Sequence, residues 1–155
     1  MDKSNGFFGQ RISLTKLASV VGWYLNTSDI EGQGLFANRD YKEGDVIELA
    51  MYPGGRDEYN NDIYNLTTAA RYTNHQFNSN SKIVKEGDNY NLVASKPILE
   101  DDEITANYAE VTRTLGPKAV MHWQGEQVPS VDLHKYKERN LRNESDSDGQ
   151  IRSIW

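Results

Sequence analysis

Tyr108, the Asn74-His75 pair and the glycines at 32 and 34 are the residues of this 155-residue chain whose types and spacing suit them to chemistry. The glycines flank Gln33 within EGQGLFA (31–37), so the main chain there can take positive φ and approach a ligand with no Cβ atoms in the way. A plain strand-connecting turn uses the same residues. The string lacks the longer G-x-G-x-x-G pattern, which removes a doubly wound dinucleotide site. In RYTNHQFNSN (71–80), Asn74 supplies amide donors and an acceptor and His75 adds ring nitrogens, with Tyr72 and Phe77 beside them. Such a pair can meet an adenine edge, and it can equally fasten a buried loop. Tyr108 closes EITANY (103–108). A phenol there packs a strand end, and it becomes catalytic only where its hydroxyl is aimed at a reacting atom. His122 and His134 stand apart with no tight ligand spacing, so no metal site is expected.

The elements that must position these residues read as a polar lead, a β-rich middle and a polar tail. Residues 22–24, 35–37 and 46–50 are short apolar or aromatic runs separated by turn residues, which predicts a meander. Residues 51–61, with Pro53, Gly54 and Gly55 ahead of Asp and Asn residues, read as a loop. Residues 63–72 read as a short helix with Asp62 as N-cap. Ile83-Val84 and residues 90–94 flank Glu86-Gly87-Asp88, the pattern of a hairpin, and Ile98 and residues 103–107 continue the strand signal. Pro117 ahead of Ala119, Val120 and Trp123 predicts one short helix. After Leu133 a basic segment from His134 to Arg142 and a polar stretch at 143–149 predict a mobile end, pinned by Ile154 and Trp155.

Composition excludes several classes. With 37% hydrophobic and 26% charged residues the chain suits one globular domain with a modest core. It has no cysteine, which rules out disulfides, thiolate zinc sites and cysteine nucleophiles. No apolar run approaches the roughly 20 residues that cross a bilayer, and residues 1–21 lack a signal-peptide core. The expectation is a soluble, intracellular protein with no membrane partner. A formal charge of -6 argues against nucleic acid and favours a cationic peptide, particularly near Glu100-Asp101-Asp102-Glu103, although a solvated turn explains that run as well.

In this order and on a chain of this size, the three strings resemble the signature of the SET-domain protein lysine methyltransferases, over residues 23–108. The resemblance implies a mainly β fold of several small curved sheets with a few short helices. It also implies a knot-like C-terminal crossing that carries the segment ending at Tyr108 past Asn74-His75. It implies an S-adenosylmethionine-dependent enzyme that transfers a methyl group to a lysine amine of a protein or peptide, with a basic substrate expected. A SET-like module that binds a basic peptide or the cofactor without turnover is the alternative. Gly32, Gln33, Gly34, Asn74 and His75 would bind the cofactor, and Arg71, Tyr72 and Asn80 match the same family string. Tyr108 would be the catalytic tyrosine, with Tyr52, Tyr72, Phe77 and Trp123 lining the lysine channel. Phe77 stands where many members carry a zinc-binding cysteine, so the chain looks like the zinc-independent members. The lid is then expected from Met121 and Trp123. Gln76, Ser79 and Asp102 depart from the usual serine, proline and glycine, and Ala106 stands where many members have an aromatic residue that influences how many methyls are added. The implied organisation is a lead at 1–21, a SET-like catalytic domain at 22–115, a lid with a short helix at 116–132 and a mobile tail at 133–155.

Overall fold

The computed structural model describes Lys16 and residues 21–128. The remainder of the lead, the last residues of the expected lid and the tail with its basic segment lie outside the described residues. The chain opens with a hairpin of β1 (Trp23–Thr27) and β2 (Gln33–Ala37), paired antiparallel from Trp23↔Ala37 to Thr27↔Gln33. β3 (Val46–Arg56) and β4 (Asp62–Leu66) follow, then a one-turn helix α1 (Thr68–Arg71) and the two-residue strand β5 (Asn74–His75). β6 (Ser81–Glu86) and β7 (Asn89–Ala94) form the expected hairpin, with Glu86 opposite Asn89 and Gly87 at φ 63°, the left-handed conformation that a two-residue turn requires. β8 (Glu103–Ala106) leads into α2 (Tyr108–Leu115), and β9 (Ala119–Trp123) and β10 (Glu126–Gln127) close the described segment.

The fold is mainly β, as expected. Among the described residues the strands join in one mixed, open sheet in the order β1-β2-β8-β6-β7-β3-β4-β9-β10, with β5 paired to β8 off this path. The expected small sheets survive as parts of it. β2 meets β8 through Leu35↔Ile104 and Phe36↔Glu103, and β8 meets β6 through Ser81↔Ala106, so β8 is a thin joint between two larger pieces. Its residues are buried accordingly: Ile104, Thr105 and Ala106 are all in the interior beside Leu35, Ile98, Leu92 and Ala94. A strand covered on both faces loses the apolar-polar alternation that the sequence suggested.

Three expected elements are corrected. Residues 63–72 do not form one helix. β4 takes the first half, because Asp62, Tyr64 and Asn65 pair with β3 on one side and with β9 on the other, and only the last residues form α1 behind the N-cap Thr67. The expected loop at 51–61 is half strand, since β3 runs on to Arg56 against β4. The helix expected near Pro117 is β9. Gly116, at φ 97°, ends α2, Pro117 follows that stop, and Ala119 to Trp123 add a parallel strand to β4.

Candidate functional site

The turn between β1 and β2 is built around Ser28. Its hydroxyl oxygen accepts from the N–H groups of Ile30 (2.8 Å) and Glu31 (3.3 Å), and its backbone N–H donates to Gly32 O at 2.8 Å. The same hydroxyl donates to the Glu103 carboxylate, 2.8 Å from each oxygen. Asn74, 5% exposed, places Nδ2 2.9 Å from Glu103 Oε2, 3.0 Å from Glu31 O and 3.3 Å from Gln33 O. Turn, amide and the first residue of β8 are thus one hydrogen-bonded unit, although Glu31, Asn74 and Glu103 are far apart in the chain.

The two glycines play different parts in it. Gly32 takes φ 45°, and a Cβ built on it meets nothing within 4 Å, so its surroundings are open. A Cβ on Gly34 would collide with the Glu103 carboxylate and reach Ser28 Cβ at 3.0 Å. Gly34 therefore makes room for a side chain of the protein itself. Gln33, between them, is exposed.

His75 lies at the other end of β5, which pairs in parallel with β8 through Asn74↔Thr105 and His75↔Ala106. It is 3% exposed, and burial pushes its imidazole down to about 4. Nδ1 accepts the backbone N–H of Tyr108 at 3.0 Å, which fixes a neutral ring protonated at Nε2. Tyr108 is the first residue of α2 rather than the end of a strand, because Asn107 caps the helix by accepting from Ala109 N at 2.9 Å. Its hydroxyl donates to Thr73 O at 2.8 Å. The His75 ring stands 5.0 Å from that of Tyr108 and 4.7 Å, edge-on, from that of Phe77.

The aromatic residues expected to line a channel fall into separate groups. Tyr72 and Trp123 meet edge to face with ring centres 6.3 Å apart, and Thr73, next in the chain, carries the carbonyl bonded to Tyr108. Phe77 belongs with His75. Tyr52 is not brought to either group: it is 43% exposed and stands in a row with Asn65 and His122. That row is on the sheet face opposite the one occupied by buried Met51 and by Tyr64 and Met121, since alternate strand residues point to opposite faces. Met121, half of the expected lid, packs against the core.

Asn80 clamps β8 from the side. Its amide accepts from Thr105 N and donates to Glu103 O, both at 2.9 Å, and the neighbouring Ser81 hydroxyl donates to Thr105 O at 2.6 Å. The acidic run is largely engaged within the chain: Asp101 accepts from Lys16 Nζ at 2.6 Å and from the Tyr24 hydroxyl at 2.7 Å, and Asp102 accepts from Leu99 N at 3.0 Å. Among the described residues no group of three or more His, Cys, Asp or Glu side chains could hold a metal ion, and no helix is long and apolar enough to cross a membrane. Sequence reasoning missed Ser28, Thr73 and Glu103 as members of the site. The local signal was a serine two and three residues ahead of the backbone N–H groups that it accepts, and that pattern is common to many turns.

Among comparisons with known proteins, the family model of the SET domain matches residues 52–109, a segment that includes Asn74, His75 and Tyr108 but not the turn at 32–34. Solved structures give 154 matching chains. One, from Plasmodium falciparum and named as a candidate histone methyltransferase, is 19% identical with a TM-score of 0.47, over 57% of this chain and 93% of that one. No curated protein matches the chain.

Proposed function

We propose that this chain, whose residues 52–109 match the family model of the SET domain, is a protein lysine N-methyltransferase that uses S-adenosylmethionine. The observation that carries this reading is the joining of the turn at 31–33, Asn74 and Glu103 in one network, with Tyr108 bonded to the next residue, His75.

The residues present suit the cofactor. Gly32 is open, Gln33 is exposed, and among the described residues no donor reaches Asn74 Oδ1. Asn74 is 5% exposed, and an amide oxygen with no donor from the described residues can accept from a ligand. Gly32, Gln33, Gly34, Asn74 and His75 are the proposed holding residues. When bound, S-adenosylmethionine supplies a methyl group made electrophilic by its sulfonium charge.

The protein's part is to deliver a free amine in line. A lysine of pKa about 10.4 is mostly protonated, and reaching the neutral amine costs about 4 to 5 kcal/mol at pH 7. Half-buried aromatic surface at Tyr72, Phe77 and Trp123 disfavours the ammonium by desolvation and lowers that cost. The Tyr108 hydroxyl spends its proton on Thr73 O, so its oxygen faces a substrate only as an acceptor. It can take an N–H of the lysine and leave the lone pair pointing elsewhere. No enzyme nucleophile is required, and none is assigned. Holding amine and methyl in line converts an encounter into a positioned displacement, worth roughly 7 to 11 kcal/mol in favourable cases.

Binding of a basic peptide or of the cofactor without turnover is the second reading, favoured by the outward position of Tyr52, which leaves the proposed channel short of one wall. Calorimetry with S-adenosylmethionine, followed by labelled-methyl transfer to a panel of basic proteins, separates the two. Binding with label on lysine supports the enzyme. Binding with no transfer across the panel supports the module, and a folded protein that binds no cofactor contradicts both.

A further inference from the structure

Three acceptors surround Asn74 Nδ2, namely Glu31 O, Gln33 O and Glu103 Oε2, at 3.0, 3.3 and 2.9 Å. None of them carries a hydrogen, so only the nitrogen of the amide can occupy that side, and Oδ1 is forced to the other. The nearest of the three is also the one charged group, and a charge-assisted bond is the strongest of the set. Glu103 is itself held one way round. Ser28 has a single hydroxyl proton, and its oxygen is committed to the N–H groups of Ile30 and Glu31, so that proton goes to the carboxylate. The missing Cβ of Gly34 leaves the carboxylate its space.

We infer that Glu103 is a positioning residue that fixes the polarity of the Asn74 amide, so that Oδ1 meets the ligand as an acceptor, with Ser28 keeping the carboxylate in place. The inference rests on the cofactor reading above and names the part of the ligand concerned. Oδ1 needs a donor, and the strongest N–H donor of S-adenosylmethionine is its α-ammonium group. Glu103→Gln retains shape but removes the charged acceptor, so the amide is held only by the Glu31 and Gln33 carbonyls and its orientation is less firmly fixed.

The test compares two ligands by calorimetry: S-adenosylhomocysteine, which carries the α-ammonium, and 5′-methylthioadenosine, which lacks it. For Glu103→Gln the first should weaken about tenfold or more, as for one charge-assisted hydrogen bond, while the second stays within about twofold. Ser28→Ala, which keeps the carboxylate but loosens it, should show the same asymmetry at about threefold, and it decides the matter alone if Glu103→Gln does not fold. Equal weakening of both ligands marks a purely structural role and overturns the inference, as does unchanged affinity for S-adenosylhomocysteine. A wild-type protein that binds neither ligand overturns the cofactor reading and this inference with it.

Discussion

At the scale of single residues, most polar side-chain atoms of the site are bonded within the protein, and Asn74 Oδ1 is the exception on which the cofactor reading rests. The Tyr108 hydroxyl bonds Thr73 O, so Tyr108→Phe removes one hydrogen bond and, on the proposed reading, the acceptor for the substrate amine. Stability should fall by about 1 kcal/mol, turnover about a hundredfold or more, and cofactor affinity should hold; unchanged turnover would remove Tyr108 from the chemistry. The two glycines make a sharper contrast. Gly34→Ala drives a Cβ into the Glu103 carboxylate and should lower stability by roughly 1 to 3 kcal/mol while weakening cofactor binding. Gly32→Ala enters open space and meets only the strain of φ 45°, about 1 kcal/mol. Thermal melts and calorimetry of both variants check this, and a Gly34→Ala protein as stable as wild type would contradict the packing described. The sequence allowed these glycines to be read as a ligand turn, yet it concealed that one of them serves Glu103, because the partner is 69 positions away and no local pattern points to it.

Secondary-structure elements meet at His75, which ties β5 to the start of α2. Protonation of Nδ1 would abolish its bond to Tyr108 N. The folded value is about 4 against about 6.5 unfolded, so between those values the unfolded chain binds more protons than the folded one. Stability contributed by neutral His75 is therefore complete above pH 6.5 and lost as pH falls toward 4, a change of roughly 3 kcal/mol across that interval. Denaturant unfolding at steps from pH 7 to pH 4, compared with His75→Gln, should show the slope in wild type and a shallower one in the variant; equal slopes would mean that other groups govern acid sensitivity. The hairpin of β6 and β7 was legible because Gly87 and its neighbours encode the turn locally. β4 and β9 were not. Each is a strand because the other lies beside it in parallel, and a periodicity read over a few residues cannot report a partner that arrives from 57 positions later, as Ile63↔Val120 does.

For the whole molecule, the central feature is that β8 pairs with β2, β5 and β6 and so brings three remote strings to one place. The family resemblance implied that meeting; the residues taken singly did not, since each string had an ordinary structural explanation. What sequence could not supply was the outward placement of Tyr52 and the strand character of the expected lid, both of which depend on sheet order. The most direct test is an amide NMR titration of the whole chain with S-adenosylhomocysteine. Signals of Gly32 to Gly34, of Asn74 and His75, and of Tyr108 should all move and fit one dissociation constant. A titration in which one of the three strings stays unmoved, or follows a different constant, would contradict a single shared site.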